Sequence, residues 1–223
     1  MECMRKTQFA PEEYYHLCGR GNEKQNLFLD TRDYARFLLL MLYCQSPITI
    51  NNPGYLVSGF LKNKKFKISA KILHMIIAKR GVELISFCLM PNHFHLIVKE
   101  SRENGISNYM QKILTAYAKY FNAKYKKSGH VFQGPFRATH IEDNEQLLYT
   151  SAYVHRNPRE LPGWKNKEHT YPWSSFLDYL EENRWGDLLK TEDVLSQYED
   201  TAHYRESVEE SGAKEKERWD DLY

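Results

Sequence analysis

Apolar residues recur along this chain with two periods, and the elements change where the period changes. Over residues 12–20 apolar and polar positions alternate, as a half-buried strand requires, and the cluster Gly19-Arg20-Gly21-Asn22 ends the run. Residues 31–44 switch to spacings of three and four, placing Tyr34, Phe37, Leu38, Met41 and Leu42 on one helical face behind Asp30 as N-cap. Pro, Asn and Gly break the pattern over residues 47–59, a basic stretch follows at 62–71, and a helix is predicted over 69–79, stopping at Gly81. Two strands, 82–90 and 93–99, meet at Pro91-Asn92. A long helix is predicted over 107–124 from Met110, Ile113, Leu114, Tyr117 and Phe121, and Gly129 and Gly134 bracket a turn before a strand at 137–141. Asp143, with Gln146 three residues on, caps a helix that carries Tyr153 and Asn157 and is limited by Pro158.

The order strand, helix, strand, strand, helix, strand, helix predicts an α+β protein: a ferredoxin-like split βαβ antiparallel sheet with helices on it, plus helical additions. The domain is expected over residues 1–180, with a helical insertion around 45–80. Residues 181–223 are expected to form an acidic C-terminal extension, solvated and partly helical or disordered.

Composition narrows the class. With 223 residues, 42% hydrophobic and 27% charged, the chain has enough apolar material for one core, which excludes wholesale disorder and collagen. The longest unbroken apolar run, 37–44, is too short to span a bilayer, and no apolar segment follows Arg5 and Lys6 as a secretory signal would require. A cytoplasmic protein with no membrane partner is expected. Cys3, Cys18, Cys44 and Cys88 stand singly, so neither a disulfide framework nor a thiolate zinc site is suggested.

The net charge of +2 conceals an asymmetry, because residues 1–190 hold 27 Lys and Arg against 18 Asp and Glu, and the remainder hold 4 against 11. Residues 104–141 contain Lys112, Lys119, Lys124, Lys126, Lys127 and Arg137 and no carboxylate, interleaved with Tyr109, Tyr117, Tyr120, Phe121, Tyr125, Phe132 and Phe136. Cations for phosphates beside flat rings for unstacked bases make a surface suited to single-stranded nucleic acid. A solvated amphipathic helix whose rings belong to the core has the same composition.

His93-Phe94-His95 is the sharpest candidate for chemistry: residues i and i+2 of a strand face one way, so two imidazoles can grip one metal ion. Taken alone, such a pair also suits zinc hydrolases, cupin-type iron sites or plain buried histidines. Tyr153 and Asn157, at i and i+4, share a helix face and pair a potential nucleophile with an amide oxygen, or else pack in the core and end the helix.

Four segments read together, Gly19-Arg20-Gly21-Asn22, Leu89-Met90-Pro91-Asn92-His93-Phe94-His95-Leu96-Ile97-Val98, Gly129-His130-Val131-Phe132-Gln133-Gly134 and Tyr153-Val154-His155-Arg156-Asn157-Pro158, resemble the single-tyrosine HUH transposases of the IS-two-hundred-like kind, particularly the REP-associated tyrosine transposases. The resemblance spans roughly residues 14–179 in family order. It implies Mg²⁺ or Mn²⁺ held by His93 and His95, with Asn157 as third ligand, and Tyr153 as the nucleophile of a single-stranded DNA endonuclease and strand transferase. The implied partner is single-stranded DNA with hairpin or palindromic ends, contacted through Arg20, Lys112, Lys119, Lys124, Lys126, Lys127, His130 and Arg137. A homodimer is left open. Two other classes compete: a DNA-binding protein of the same fold without transposition, and a metal hydrolase or oxygenase. The last would need a further ligand, and Glu100 falls on the opposite strand face from the histidines.

Overall fold

The computed structural model describes residues 8–212, so Cys3, Arg5, Lys6 and the end of the acidic tail lie outside the described residues. Four strands, β1 (Tyr14–Arg20), β2 (Val82–Met90), β3 (His93–Glu100) and β4 (Arg137–Ile141), form an antiparallel sheet in the order β2-β3-β1-β4. This is the expected ferredoxin-like arrangement, with the first strand lying between β3 and β4. Register partners across such a sheet share a face. One face therefore carries, strand by strand, the row Cys88, His95, Cys18 and Arg137, flanked by His93 with Arg20 and by Ile97 with His16 and Thr139.

The opposite face, with Tyr15, Leu17, Leu84, Phe87, Leu89, Phe94, Leu96 and Val98, packs under α1 (Thr31–Tyr43), α2 (Pro53–Asn63), α3 (Ala70–Ala78) and α4 (Gly105–Tyr125). Gly19 belongs to that face because the Phe94 ring lies on it: a Cβ there would come within 2.6 Å of Phe94 Cζ. Asp30 caps α1 in a reciprocal box with Asp33, and Ser69 caps α3 through the amide of Ile72. Tyr109 and Tyr117 bury their rings and donate their hydroxyls to the carbonyls of Met41 and Leu27, so neither polar tip is left unsatisfied. Of the rings expected as base-stacking candidates, Tyr109, Tyr117, Phe121 and Phe136 are core residues, so the amphipathic-helix reading holds for this segment.

The face with the histidines packs under α5 (Asn144–Arg156), α6 (Phe176–Leu180), α7 (Glu192–Leu195) and α8 (Thr201–Glu210). Here Ile85, Cys88, Met90, Ile97 and Ile141 meet Val154, Phe176, Tyr179, Tyr204 and Val208. The β2 edge is covered by residues 173–175: Leu89 N–H donates to the Trp173 carbonyl, and the Phe87 amide donates to Ser175 Oγ. Covering an edge in this way satisfies its ladder groups and removes a site of unwanted strand pairing.

One expectation is refined and one changes. The region around 45–80 holds the helices α2 and α3, and α2 starts inside the stretch read as a break, with Pro53 in its first turn, a position where the missing N–H costs nothing. The segment from 181 is not a solvated extension through Gly212, because Trp185, Leu188 and Leu189 enter the first core and Val194, Tyr204 and Val208 the second. Its charge count conceals an apolar stripe, with Tyr204 and Val208 one helical turn apart.

Candidate active site

His93 and His95 share the sheet face as their spacing predicts, with ring centroids 5.0 Å apart and planes nearly perpendicular. The Pro91-Asn92 turn that delivers them is tied down from three sides: the Pro91 carbonyl accepts from Leu27 and Phe28, and the Asn92 carbonyl from Gly21. The turn also orients the His93 ring. Asn92 Nδ2 donates to the Lys24 carbonyl at 3.3 Å, so Asn92 Oδ1 is the atom facing His93 Nδ1 at 2.7 Å. That oxygen can only accept, so Nδ1 is the donor in this contact, which in the neutral ring leaves the Nε2 lone pair for a ligand.

Helix α5 lays Tyr153 over His95. Its ring meets His95 edge-on at 5.4 Å between centroids and meets a third imidazole, His16 of β1, at 5.8 Å. His16 Nε2 and His95 Nδ1 are 3.0 Å apart with both rings buried. Sequence pattern alone does not single out His16, because a lone histidine on a strand carries no signal until its partner, 79 residues away, is placed beside it. Asn157, fully buried one turn below Tyr153, donates Nδ2 to the carbonyls of Tyr153 and Val154, so any ligand role falls to Oδ1.

His155 points away from this centre. It is fully buried, with Nδ1 2.6 Å from the Tyr204 hydroxyl and Nε2 2.8 Å from Ser175 Oγ, and burial pushes its pKa down to about 3. Its neutral ring thus ties α5 to α8 and to the segment covering β2. Glu100 lies on the far face, buried, accepting the amides of Gly105 and Ile106 at the start of α4. Among the described residues no group of three or more His, Cys, Asp and Glu side chains is placed to hold a metal ion.

The basic residues divide between the two faces. Arg20 and Arg137 belong to the histidine face, as register partners of His93 and Cys18. Lys126 follows α4, and Lys127 and His130 line a small polar cleft with Asn22 and Gln25, beyond the β1 end that carries Arg20. Lys112, Lys119 and Lys124 are set apart from the histidines, because α4 covers the other face. Lys112 Nζ donates to the Ser46 carbonyl at 2.8 Å, and Lys119 lines a groove against α1. Lys124 Nζ sits 2.7 and 2.6 Å from Asp30 and Asp33; burial lowers its pKa, but these bonds outweigh it and hold the value up. Lys112 and Lys124 are thus bonded within the helical layer, and Lys119 is exposed on it, away from the histidine face.

The family model described as "Transposase IS200 like" matches residues 58–157, a range that takes in His93, His95, Tyr153 and Asn157. No curated protein matches the chain. A solved REP-associated tyrosine transposase bound to a REP hairpin superposes with a TM-score of 0.51 at 15% identity, covering 80% of this chain and 84% of that one. No described helix is long and apolar enough to cross a membrane. The resemblance carried by the motifs thus holds in both the family match and the fold: this chain resembles the IS200-like transposases.

Proposed function

We propose that this protein cleaves and rejoins single-stranded DNA at hairpin ends through a covalent 5′-phosphotyrosine on Tyr153, as a transposase or a processor of palindromic repeats. The observation that carries the reading is the placement of the Tyr153 ring over His95, on the sheet face that also bears His93 and the end of β1 with Arg20. The chemistry asks for a nucleophile, an electrophile-activating group and cations for the strand, all on one surface.

In this scheme the Tyr153 oxygen forms a bond to phosphorus as its proton is lost, the P–O3′ bond breaks, and the departing oxygen leaves as a 3′-hydroxyl. The phosphotyrosine conserves the bond, so attack by another 3′-hydroxyl rejoins DNA without ATP. His93 and His95 would hold Mg²⁺ or Mn²⁺, with Asn157 Oδ1 as third protein donor. When bound, that ion withdraws charge from a non-bridging phosphate oxygen. The donor set fits such an ion, and its two imidazoles favour Mn²⁺ over the harder, oxygen-preferring Mg²⁺. Arg20 and Arg137 orient the backbone beside the histidines, and Lys126, Lys127 and His130 extend the track past the β1 end.

The test is incubation of labelled single-stranded DNA bearing imperfect palindromes with Mn²⁺ or Mg²⁺, followed by denaturing gels. A protein–DNA adduct is expected for the wild type and none for Tyr153→Phe, whose DNA affinity stays near wild type because only the hydroxyl is lost. Cleavage by the variant at wild-type rate would refute the assignment, and DNA binding without any adduct would leave a binding protein of the same fold.

A further inference from the structure

We infer that His16 is a positioning residue that fixes the tautomer of His95, as Asn92 fixes that of His93; the inference rests on the metal reading given above. His16 faces Ile97 across the β1–β3 ladder and His95 faces Cys18, so the two histidines are diagonal neighbours on one sheet face. Their rings lie 5.1 Å apart, 14° from parallel, with His16 Nε2 3.0 Å from His95 Nδ1.

A neutral imidazole has one protonated and one unprotonated nitrogen, so a hydrogen bond between two of them has a direction. If His95 Nδ1 donates, its Nε2 keeps a lone pair for an ion. If His16 Nε2 donates instead, the His95 proton moves to Nε2 and the ring cannot ligate. Ligands to metal ions are commonly locked by a group accepting their other N–H. On β3 that group is the Asn92 carboxamide for His93 and the His16 imidazole for His95. Both ligand histidines then commit Nδ1 to the protein and present Nε2, a matched pair set by one neighbour in the β2–β3 turn and one on β1.

Burial makes the contact consequential: His16 is 2% and His95 5% exposed, so bulk water is poorly placed to replace the lost acceptor. Tyr153 lies edge-on to both rings, and a rotation of His95 would also shift the nucleophile's support.

The test has two independent readouts. Nitrogen-15 NMR of the metal-free wild type, at a pH where the imidazoles are neutral, is expected to show His95 protonated at Nδ1; finding it at Nε2 overturns the assignment. Titration with Mn²⁺ alone, followed by electron paramagnetic resonance, is expected to show affinity falling about 10–100-fold in His16→Leu. Recovery to within a few-fold is expected in His16→Gln, whose side-chain oxygen can accept the Nδ1–H. Wild-type affinity in a folded His16→Leu, or equal losses in both variants, overturns the proposal. If the leucine variant does not fold, the glutamine variant and the wild-type tautomer still decide. A wild type that takes up no Mn²⁺ refutes the metal reading of the site, whereas the His95 tautomer, read without metal, decides the His16 assignment by itself.

Discussion

At the scale of single residues, burial decides the charge of His155. His155 is held neutral far below the ordinary histidine range of about 6.5, with a folded pKa of about 3. Because the folded value lies below the unfolded one, the stability it contributes is complete above about pH 6.5 and is lost as pH falls toward 3, at most about 1.4 kcal/mol per pH unit. Urea melts are therefore expected to show a stability gap between wild type and His155→Gln that narrows from about pH 7 to about pH 4.5. A constant gap would mean that the ring contributes packing and hydrogen bonds alone. His93, His95 and Tyr153 were legible in the sequence because strand and helix periods place them, and because their motifs resemble a family. His16 and Asn92 were not, since their roles lie in contacts to a ring nitrogen that no spacing encodes.

Elements show the same division. The strands and α1, α4 and α5 were legible to within a few residues because their apolar periods run long enough to read, and α1 and α5 also begin at the side-chain caps Asp30 and Asp143. Within the helical insertion expected around 45–80, only the start of α2 was masked, where Asn52 in the left-handed region and Pro53 read as a break. The position of α4 was the larger surprise. Its periodicity predicts a helix but not which sheet face it covers, and that choice moved Lys112, Lys119 and Lys124 away from the DNA reading. Lys124 joins the end of α4 to the start of α1 through Asp33, which is fully buried and also accepts from the Tyr120 and Tyr125 hydroxyls. Lys124→Met would leave that carboxylate without its cation. Thermal and urea melts are expected to show a loss at or below the lower end of the roughly 3–5 kcal/mol typical of breaking a buried pair, since the lysine is partly exposed. A loss under 0.5 kcal/mol would mean the tyrosine hydroxyls suffice.

For the molecule as a whole, the sheet separates duties between its faces: one is a helical scaffold, and the other carries the three histidines, the tyrosine and two arginines. This division gives a test of the DNA path. Affinity for single strands is expected to fall with salt at a slope of about −0.7 per neutralised phosphate. Arg20→Gln with Arg137→Gln is expected to flatten that slope by up to about 1.4 in fluorescence anisotropy titrations, while Lys112→Gln with Lys119→Gln leaves it unchanged. The reverse result would place the strand along α4. Metal dependence follows the same face, with Mn²⁺ expected to support adduct formation at lower concentration than Mg²⁺.

The central place of β1 has a consequence for synthesis. The strand leaves the ribosome early, yet its neighbours β3 and β4 come from far later in the chain, and His16 must wait 79 residues for His95. At roughly 5–20 residues per second that is about 4–16 s, and Tyr153 and the α8 segment that braces its helix arrive later still. A nascent chain therefore brings Tyr153 to the histidines only when translation is well advanced, and a product ending between residues 95 and 153 carries the histidines without the tyrosine. Such fragments lack the residue proposed as nucleophile, so they are expected to form no covalent adduct with DNA.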